Sequence, residues 1–292
     1  MKHFISRVWY FTCRYLLIAL PDNLFFQVTN WVTHQRLGFK FTVLNLSNPR
    51  TFNEKLNFLK TLPSPERHTV LADKVLVREV VANAIGKKYL VPCLGMYKNA
   101  AEIDFGQLPP KFILKTNHGS GWNMICNDKA TFNKAKAIRL FNRWLSYNAY
   151  YLSRERQYKN IKPLIICEQL LEYDIYDYKF FCFDGKPEFV QVDIDRFTNH
   201  KRAFFNLKWE KLPFSIRYDV SEKDIPAPPQ LAEMERIAVA LSAGLTFSRI
   251  DLYTHDDHVY FGEITLVPGG GNEPFVPAAY DLIIGNLIRL TP

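Results

Sequence analysis

The chain opens on an apolar stretch, residues 4–20, that is interrupted by Arg7 and Arg14. Helical spacing puts Phe4, Val8, Phe11, Tyr15 and Ile18 on one stripe. The stretch is short for a membrane span, carries two charges and lacks a small-residue cleavage site, so neither a transmembrane anchor nor a secretory signal is expected. Two readings stay open: a helix packed on the body of the protein, or one lying in a membrane interface. Pro21-Asp22-Asn23 stops it, and a second helix is expected over about 24–35. Thr51, with Glu54 three residues later, has the spacing of a capping box. Further helices are expected over 73–85, closed by Gly86, over 133–146, and over 231–243, ended by Gly244. Short apolar or β-branched runs predict strands over 89–97, 111–116, 164–171, 178–183, 187–195, 247–253 and 259–266. Asp184-Gly185 joins two of them in a tight hairpin. There is no internal repeat or low-complexity segment. Segregated helices and strands predict an α+β fold with several antiparallel strands.

Composition narrows the class. Of 292 residues, 48% are apolar and 23% charged, the balance of a globular chain with room for a large core. Twenty-three Phe and 15 Tyr fit a well-filled core more simply than a stacking surface. The formal charge of +8 favours anionic partners without choosing among them, and no nucleic-acid-binding fingerprint is present. Cys13, Cys93, Cys126, Cys167 and Cys182 form no Cys-x-x-Cys pair, which argues against zinc or thioredoxin-like chemistry and fits a reducing compartment.

Three segments carry candidate chemistry. In Arg249-Ile-Asp251, a polar turn and then Glu263-Ile-Thr265, pairing Tyr253 with Val259 would close a five-residue turn. The odd-numbered residues of both strands would then share a face. Two carboxylates on neighbouring strands suit magnesium, which also takes phosphate oxygens, and Arg249 could steady negative charge developing in a reaction. The plainer reading is an exposed polar face with a surface ion pair. The run Pro268-Gly-Gly-Gly271 would let bare backbone approach such a site. In the second segment Lys115 ends a strand and leads into His118-Gly119-Ser120-Gly121, a small polar loop able to cradle phosphates, though not a P-loop. In the third, Glu168-Gln169-Leu-Leu171 ends a strand whose edge could meet a purine, and Asp177 and Lys179 follow. Asp193-Ile-Asp195 admits a rival reading as the metal-binding pair of a glycosyltransferase; if the hairpin before it has no bulge, Lys179 lies on the opposite face from Asp193.

Taken in order, Asp73-Lys74, Lys115 with its glycine loop, Glu168, and Arg249-x-Asp251 with Glu263-x-Thr265-x-x-Pro-Gly resemble the ATP-grasp superfamily. Asn53-Glu54-Lys55-Leu56, Asp177-Tyr-Lys179-Phe and Phe261-Gly-Glu263-Ile-Thr265 are similar to its teichuronopeptide-biosynthesis branch, from about residue 45 to the C-terminus. The resemblance implies an ATP-grasp fold: an N-terminal helical extension (1–50), a small α/β lobe (51–109), a central lobe (110–171) and a C-terminal lobe (172–292), the last two clamping ATP. It implies that Lys74 and Lys115 contact the nucleotide phosphates and that 118–121 close over them as a flexible loop. Glu168 would meet the adenine amino group, with Gln169 and Leu171 backbone at the ring edge. Asp177 would take the ribose, and Lys179 is counted with the nucleotide-binding set. Asp251, Glu263 and Thr265 would hold Mg²⁺, with Thr265 standing where many relatives have Asn, and Arg249 would steady the acylphosphate and tetrahedral intermediate. The implied activity is a cytoplasmic carboxylate–amine ligase using ATP and Mg²⁺ on glycan-related substrates, with peripheral membrane association through the N-terminal helix left open. A non-catalytic nucleotide-binding protein is the third reading.

Overall fold

A computed structural model describes residues 7–171, 176–194 and 200–290. The chain divides into two compact units: residues 1–19, 64–83 and 90–173 in the first, and 20–63, 84–89 and 174–292 in the second. These boundaries cross the four sequence segments expected above, because residues 20–63 pack with the C-terminal strands.

The helices are α1 (Arg7–Phe11), α2 (Asp22–Leu37), α3 (Phe52–Thr61), α4 (Glu66–Ala72), α5 (Val77–Ala84), α6 (Lys134–Leu145), α7 (Tyr150–Ser153), α8 (Leu231–Ser242) and α9 (Ala279–Gly285). In the first unit β1 (Cys93–Tyr97), β2 (Phe112–Thr116), β3 (Asn123–Cys126) and β4 (Ile165–Gln169) form an antiparallel sheet in the order β1-β4-β2-β3. Alternation sorts its faces. Phe112, Leu114, Ile165 and Cys167 enter a core with Ala137, Leu140, Phe141 and Trp144, the apolar stripe of α6. Lys115 and Glu168 therefore fall on the opposite face. Asn133 caps α6 by accepting from the Lys136 amide.

The helix expected over 73–85 starts late, at Val77, and a separate helix, α4, ends just before it at Ala72. Asp73 leaves helical geometry, and its Oδ1 accepts the amides of Val75 and Leu76, a local bond that competes with the helix ladder. The N-terminal stripe also departs from the packed reading. The helix widens into a π turn over Thr12–Leu16, and Tyr10 and Cys13 are the buried residues. Tyr10 stacks on Tyr147 at 3.9 Å, and its hydroxyl accepts the Asn148 amide. Val8, Phe11, Tyr15 and Ile18 are left exposed, while Phe4 lies outside the described residues. Among the described residues no helix is long and apolar enough to cross a membrane.

The second unit is built on β5 (Asp177–Phe183), β6 (Lys186–Ile194), β7 (Lys201–Asn206), β9 (Phe247–His255) and β10 (His258–Thr265) in the antiparallel order β10-β9-β5-β6-β7. β8 (Ser215–Ile216) pairs with β11 (Phe275–Val276). Part of one sheet face is aromatic: Phe181, Phe183, Phe189, Phe204 and Phe247 pack with Phe52 and Leu56 of α3. The Asn53-Glu54-Lys55-Leu56 motif explains how α3 is held. Asn53 Nδ2 donates to the Glu273 carbonyl, and Lys55 Nζ donates to the carbonyls of Gly285 and Ile288. Glu54 closes the capping box with Thr51, and Leu56 enters the core.

The β9–β10 hairpin corrects the expected register. Asp256-Asp257 turns the chain in two residues, both at positive φ (48° and 55°), rather than five. Asp tolerates this region through local hydrogen bonding. A two-residue turn pairs odd with even positions, as in Val259 opposite Thr254. A bulge at Gly262 then adds one residue, so that Glu263 comes opposite Asp251 and Thr265 opposite Arg249. A Cβ at position 262 would lie 2.7 Å from the Tyr253 ring and 3.0 Å from the Asp251 carbonyl. We therefore expect Gly262→Val to cost about 1–3 kcal/mol in urea unfolding, an overpacking penalty at a site with no room. A variant as stable as the parent would show that the bulge can form without glycine.

Candidate functional site

The exposed face of the first sheet carries one charged group. Glu168 Oε2 accepts from Lys115 Nζ at 2.7 Å, and Oε1 accepts from the Arg78 guanidinium at 2.8 Å. Arg78, on α5, also donates to the Val91 carbonyl. It was not among the sequence candidates; its one signal was a position one helical turn after Lys74. Glu168, expected at an adenine amino group, here stands between two cations. Gln169 is exposed, with its amide given to the Pro92 carbonyl, and Leu171 is half-buried.

Lys74 and the glycine loop belong to the same unit. Lys74 Nζ donates to the Gly119 carbonyl at 3.1 Å, and its amide donates to the Asn117 carbonyl. The expectation of a wholly flexible loop over 118–121 is corrected at its first residue. His118 is 1% exposed, and its Nε2 bridges the carbonyls of Trp144 and Tyr147 at 3.1 Å each. Gly119 is buried too, against Trp122, leaving Ser120 and Gly121 as the exposed tip. Burial lowers the His118 pKa, against the two carbonyls that raise it.

The second unit holds a larger cluster beyond the aromatic part of its sheet. Lys179 is fully enclosed; its Nζ contacts Asp177 Oδ2, lies 2.8 Å from Asp251 Oδ2 and 3.7 Å from Asp193 Oδ2. Arg249 grips Asp251 with two hydrogen bonds of 2.7 Å, Nε to Oδ1 and NH2 to Oδ2. It also reaches Thr265 Oγ1 at 3.2 Å and Glu263 Oε1 at 3.5 Å, and Thr265 donates to Glu263 at 3.1 Å. The structure thus brings Arg249, Asp251, Glu263 and Thr265 together. It makes Lys179 the centre of the group. Burial alone would lower the pKa of Lys179 and of Arg249; Asp177 and Asp251 outweigh it for the lysine and Asp251 for the arginine, so both are raised. Asp177, expected at a ribose, is only 1% exposed.

Two further expectations change. The β5–β6 hairpin does contain a bulge, between Phe181 and Cys182, so Lys179 shares a face with Asp193. Asp193 is buried and paired with Arg202 at 3.0 Å, which removes the support for a metal-binding Asp193/Asp195 pair; Asp195 lies outside the described residues. The glycines of 269–271 adopt positive φ (59°, 67° and 75°), but Gly270 and Gly271 lie against α3 and Gly269 against the Glu273 side chain. Asn57 donates to the Gly271 carbonyl and Lys60 to that of Gly270. A Cβ on Gly271 would lie 2.9 Å from Asn57, so the run admits a helix where ligand approach was expected.

The resemblance implies Mg²⁺. The donors fit it in kind, with hard carboxylate oxygens on Asp251 and Glu263 at facing positions. Glu263, with a side chain 33% exposed, is the accessible one; both Asp251 oxygens already accept from Arg249 or Lys179. Thr265 Oγ1 offers only a neutral oxygen.

These two sheets with their helices form an ATP-grasp fold. The chain belongs to the TupA-like ATPgrasp family, the branch related to teichuronopeptide biosynthesis, whose model matches residues 54–289. Among solved structures it is similar to D-alanine–D-alanine ligase from Bacillus anthracis complexed with ATP, at 16% identity and a TM-score of 0.41, covering 68% of this chain and 55% of that one. It is also similar to N5-carboxyaminoimidazole synthetase from Staphylococcus aureus complexed with ADP, at 14% identity and a TM-score of 0.41, covering 76% and 53%. A third is the ATP-grasp ligase PsnB complexed with minimal precursor, Mg and ADP, at 13% identity and a TM-score of 0.39, covering 76% and 61%. The chain thus spans little more than half the length of the two named enzymes. No curated protein matches it.

Beside the Lys179 group lies a pairing that sequence reasoning missed: Glu273 accepts from Arg217 at 3.0 Å and from Arg202 at 3.3 Å. Its only signal was its place just after the glycine run. Burial would raise the Glu273 pKa, but Arg202 and Arg217 hold it below the usual carboxylate range. A depressed folded pKa contributes stability that is present above the unfolded value of about 4.3 and is lost as pH falls through the folded one. Glu273→Gln should therefore lose about 3–5 kcal/mol at pH 7, because the buried Arg202 and the half-buried Arg217 lose a partner. The gap from wild type should close as pH falls below about 4. Urea unfolding across that range measures it; a pH-independent gap would mean that shape, not charge, sets the cost.

Proposed function

We propose that the protein is an ATP-dependent carboxylate–amine ligase acting on components of a bacterial surface polysaccharide. The observation that carries this reading is the alignment of Arg249, Asp251, Glu263 and Thr265 on one sheet face, in a chain of the TupA-like ATPgrasp family. In the proposed reaction the γ-phosphoryl group of ATP passes to a substrate carboxylate, releasing ADP. An amine then attacks the acylphosphate carbon, loses a proton and expels phosphate. Lys74 and Lys115 neutralise nucleotide phosphate charge, the chief requirement of phosphoryl transfer. Glu168, with backbone at Gln169 and Leu171, reads the adenine. Asp251 and Glu263 are the Mg²⁺ ligands, with Thr265 beside them. Bound there, the metal would supply charge neutralisation at the transferring phosphoryl group. Arg249, held rigid by Asp251, offers a fixed cation where negative charge develops. Asp177 and Lys179 are proposed to shape the same site from within the sheet. Amidation of a uronate by an amino acid is the specific reaction we favour. A non-catalytic nucleotide-binding role is a second reading, favoured by the full occupancy of Asp251.

The test is ATP affinity by calorimetry beside phosphate release with a panel of carboxylates and amines. Lys115→Ala should weaken ATP binding. Glu263→Gln should keep ATP binding and abolish Mg²⁺-dependent turnover. Arg249→Ala, once shown to be folded, should change ATP affinity little and lower turnover by on the order of 10²–10³. Turnover at the wild-type rate in both Glu263→Gln and Arg249→Ala would overturn the mechanism; ATP binding with no turnover on any pair would favour the non-catalytic role.

The exposed stripe supports a location. Val8, Phe11, Tyr15 and Leu16 line an apolar groove of about 500 Å³ with Arg7. Arg7 sits over Phe11 and Arg14 over Tyr15, and residues 7–21 contain no acid. An apolar face rimmed by arginines complements an anionic lipid surface. The protein should float with phosphatidylglycerol vesicles and not with phosphatidylcholine ones, and Leu16→Asp should release it. Equal flotation of Leu16→Asp would exclude the stripe as the contact.

A further inference from the structure

The first unit contains a cavity of about 780 Å³, within the roughly 300–1,000 Å³ usual for small-molecule sites. One wall is α4, with Thr69 and Val70. The other is the strap 156–164, which brings Arg156, Lys159 and Lys162 to the rim. The backbone of this strap is fixed from behind. Asn148 donates to the Lys159 carbonyl, and Asn117 donates to the Lys162 carbonyl and accepts from the Leu164 amide. With the backbone bonded away from the cavity, the side chains define the opening.

The charge balance there is one-sided. Lys159 and Lys162 are exposed, and among the described residues neither pairs with a carboxylate. Of the two acids lining the cavity, Asp73 is 4% exposed, and its Oδ1 is occupied by the amides of Val75 and Leu76 and the Asn117 side chain. Glu66 is exposed on α4. Ser64 also lines the cavity, and its hydroxyl is buried without a hydrogen-bond partner, a polar group that rotation toward a hydroxylated ligand would satisfy. Val70, Val75, Leu76 and Leu164 add apolar surface suited to the faces of sugar rings.

The cavity also adjoins the glycine loop. Asp73 and Leu164 line it, and both bond to Asn117, the residue before His118. Lys74 follows Asp73 directly and donates to Gly119. A ligand in the cavity would thus lie beside the lysine proposed to face nucleotide phosphate.

We propose that this cavity binds an anionic saccharide, with its carboxylate or phosphate groups on Lys159 and Lys162 and its hydroxyls directed to Ser64. The site would hold the glycan substrate of the proposed ligase, and in that respect it rests on that reading. Two sources of charge share this chemistry, uronic acids and sugar phosphates. The experiment is calorimetric titration of the full chain with tetragalacturonate, glucose 1-phosphate and neutral maltotetraose, alongside ATP. At least one anionic sugar should bind saturably and maltotetraose should not; the tighter of the two identifies the source. The Lys159→Ala/Lys162→Ala double variant, altered only at exposed positions, should lose at least tenfold in affinity for that sugar and keep its affinity for ATP. Binding of neither anionic sugar, equal binding of maltotetraose, or unchanged affinity in the double variant would overturn the proposal. Sugar binding without ATP binding in the wild-type protein would sink the ligase reading and leave the cavity assignment standing.

Discussion

One buried ammonium organises the second unit. Lys179 sits in the middle of a five-stranded sheet, and an isolated charge there would cost several kcal/mol or would discharge. It stays charged because three strands each bring a carboxylate: Asp177 on its own strand, Asp193 on β6 and Asp251 on β9. Those carboxylates need cations in turn, and Arg249 and Arg202 supply them. A one-residue slip of any of the three strands would turn its charged side chains toward the opposite face, where Ile250, Val192 and Phe180 are buried. The cluster therefore fixes strand register more firmly than apolar packing, which tolerates exchange among similar side chains.

Much of this was legible from residues alone, for reasons that differ by element. The α6 helix and the Thr51–Glu54 box are local, and local chemistry decided them. Asp184-Gly185 was read correctly as a turn, but the bulge beyond it depends on cross-strand packing that no single strand records. The same holds for the bulge at Gly262: the expected facing of Arg249, Asp251, Glu263 and Thr265 came out of the structure by a different register. β7 escaped notice because both its faces are buried, which erases the alternation that marks a strand. Arg78, Arg202, Arg217 and Glu273 carried no motif; tertiary structure alone shows that they pair with candidate residues or with one another.

The two units treat their charges differently. In the first, Glu168 is held by Lys115 and Arg78 on a sheet face that stays partly open, with side chains 11–22% exposed. Such a group can exchange partners, because water and a ligand's own charges can replace those given up. In the second, Arg249 and Asp251 are nearly sealed and bonded in parallel, which holds the guanidinium plane in one orientation. Rigidity of that kind suits a group that must meet charge appearing only during a reaction, since no reorganisation is then required.

This contrast also bears on Asp251. A carboxylate oxygen has more than one lone pair, so a bond from Lys179 does not by itself exclude a further partner. A dication added there is repelled by Lys179 and Arg249, a repulsion that Asp177 and Asp251 offset only in part, so negative charge arriving with it favours binding. Glu263 provides part of that charge, and nucleotide phosphates would bring the rest. On the ligase reading proposed above, the arrangement of Lys179, Arg249 and Asp251 would favour taking up metal and polyphosphate together over holding the metal alone.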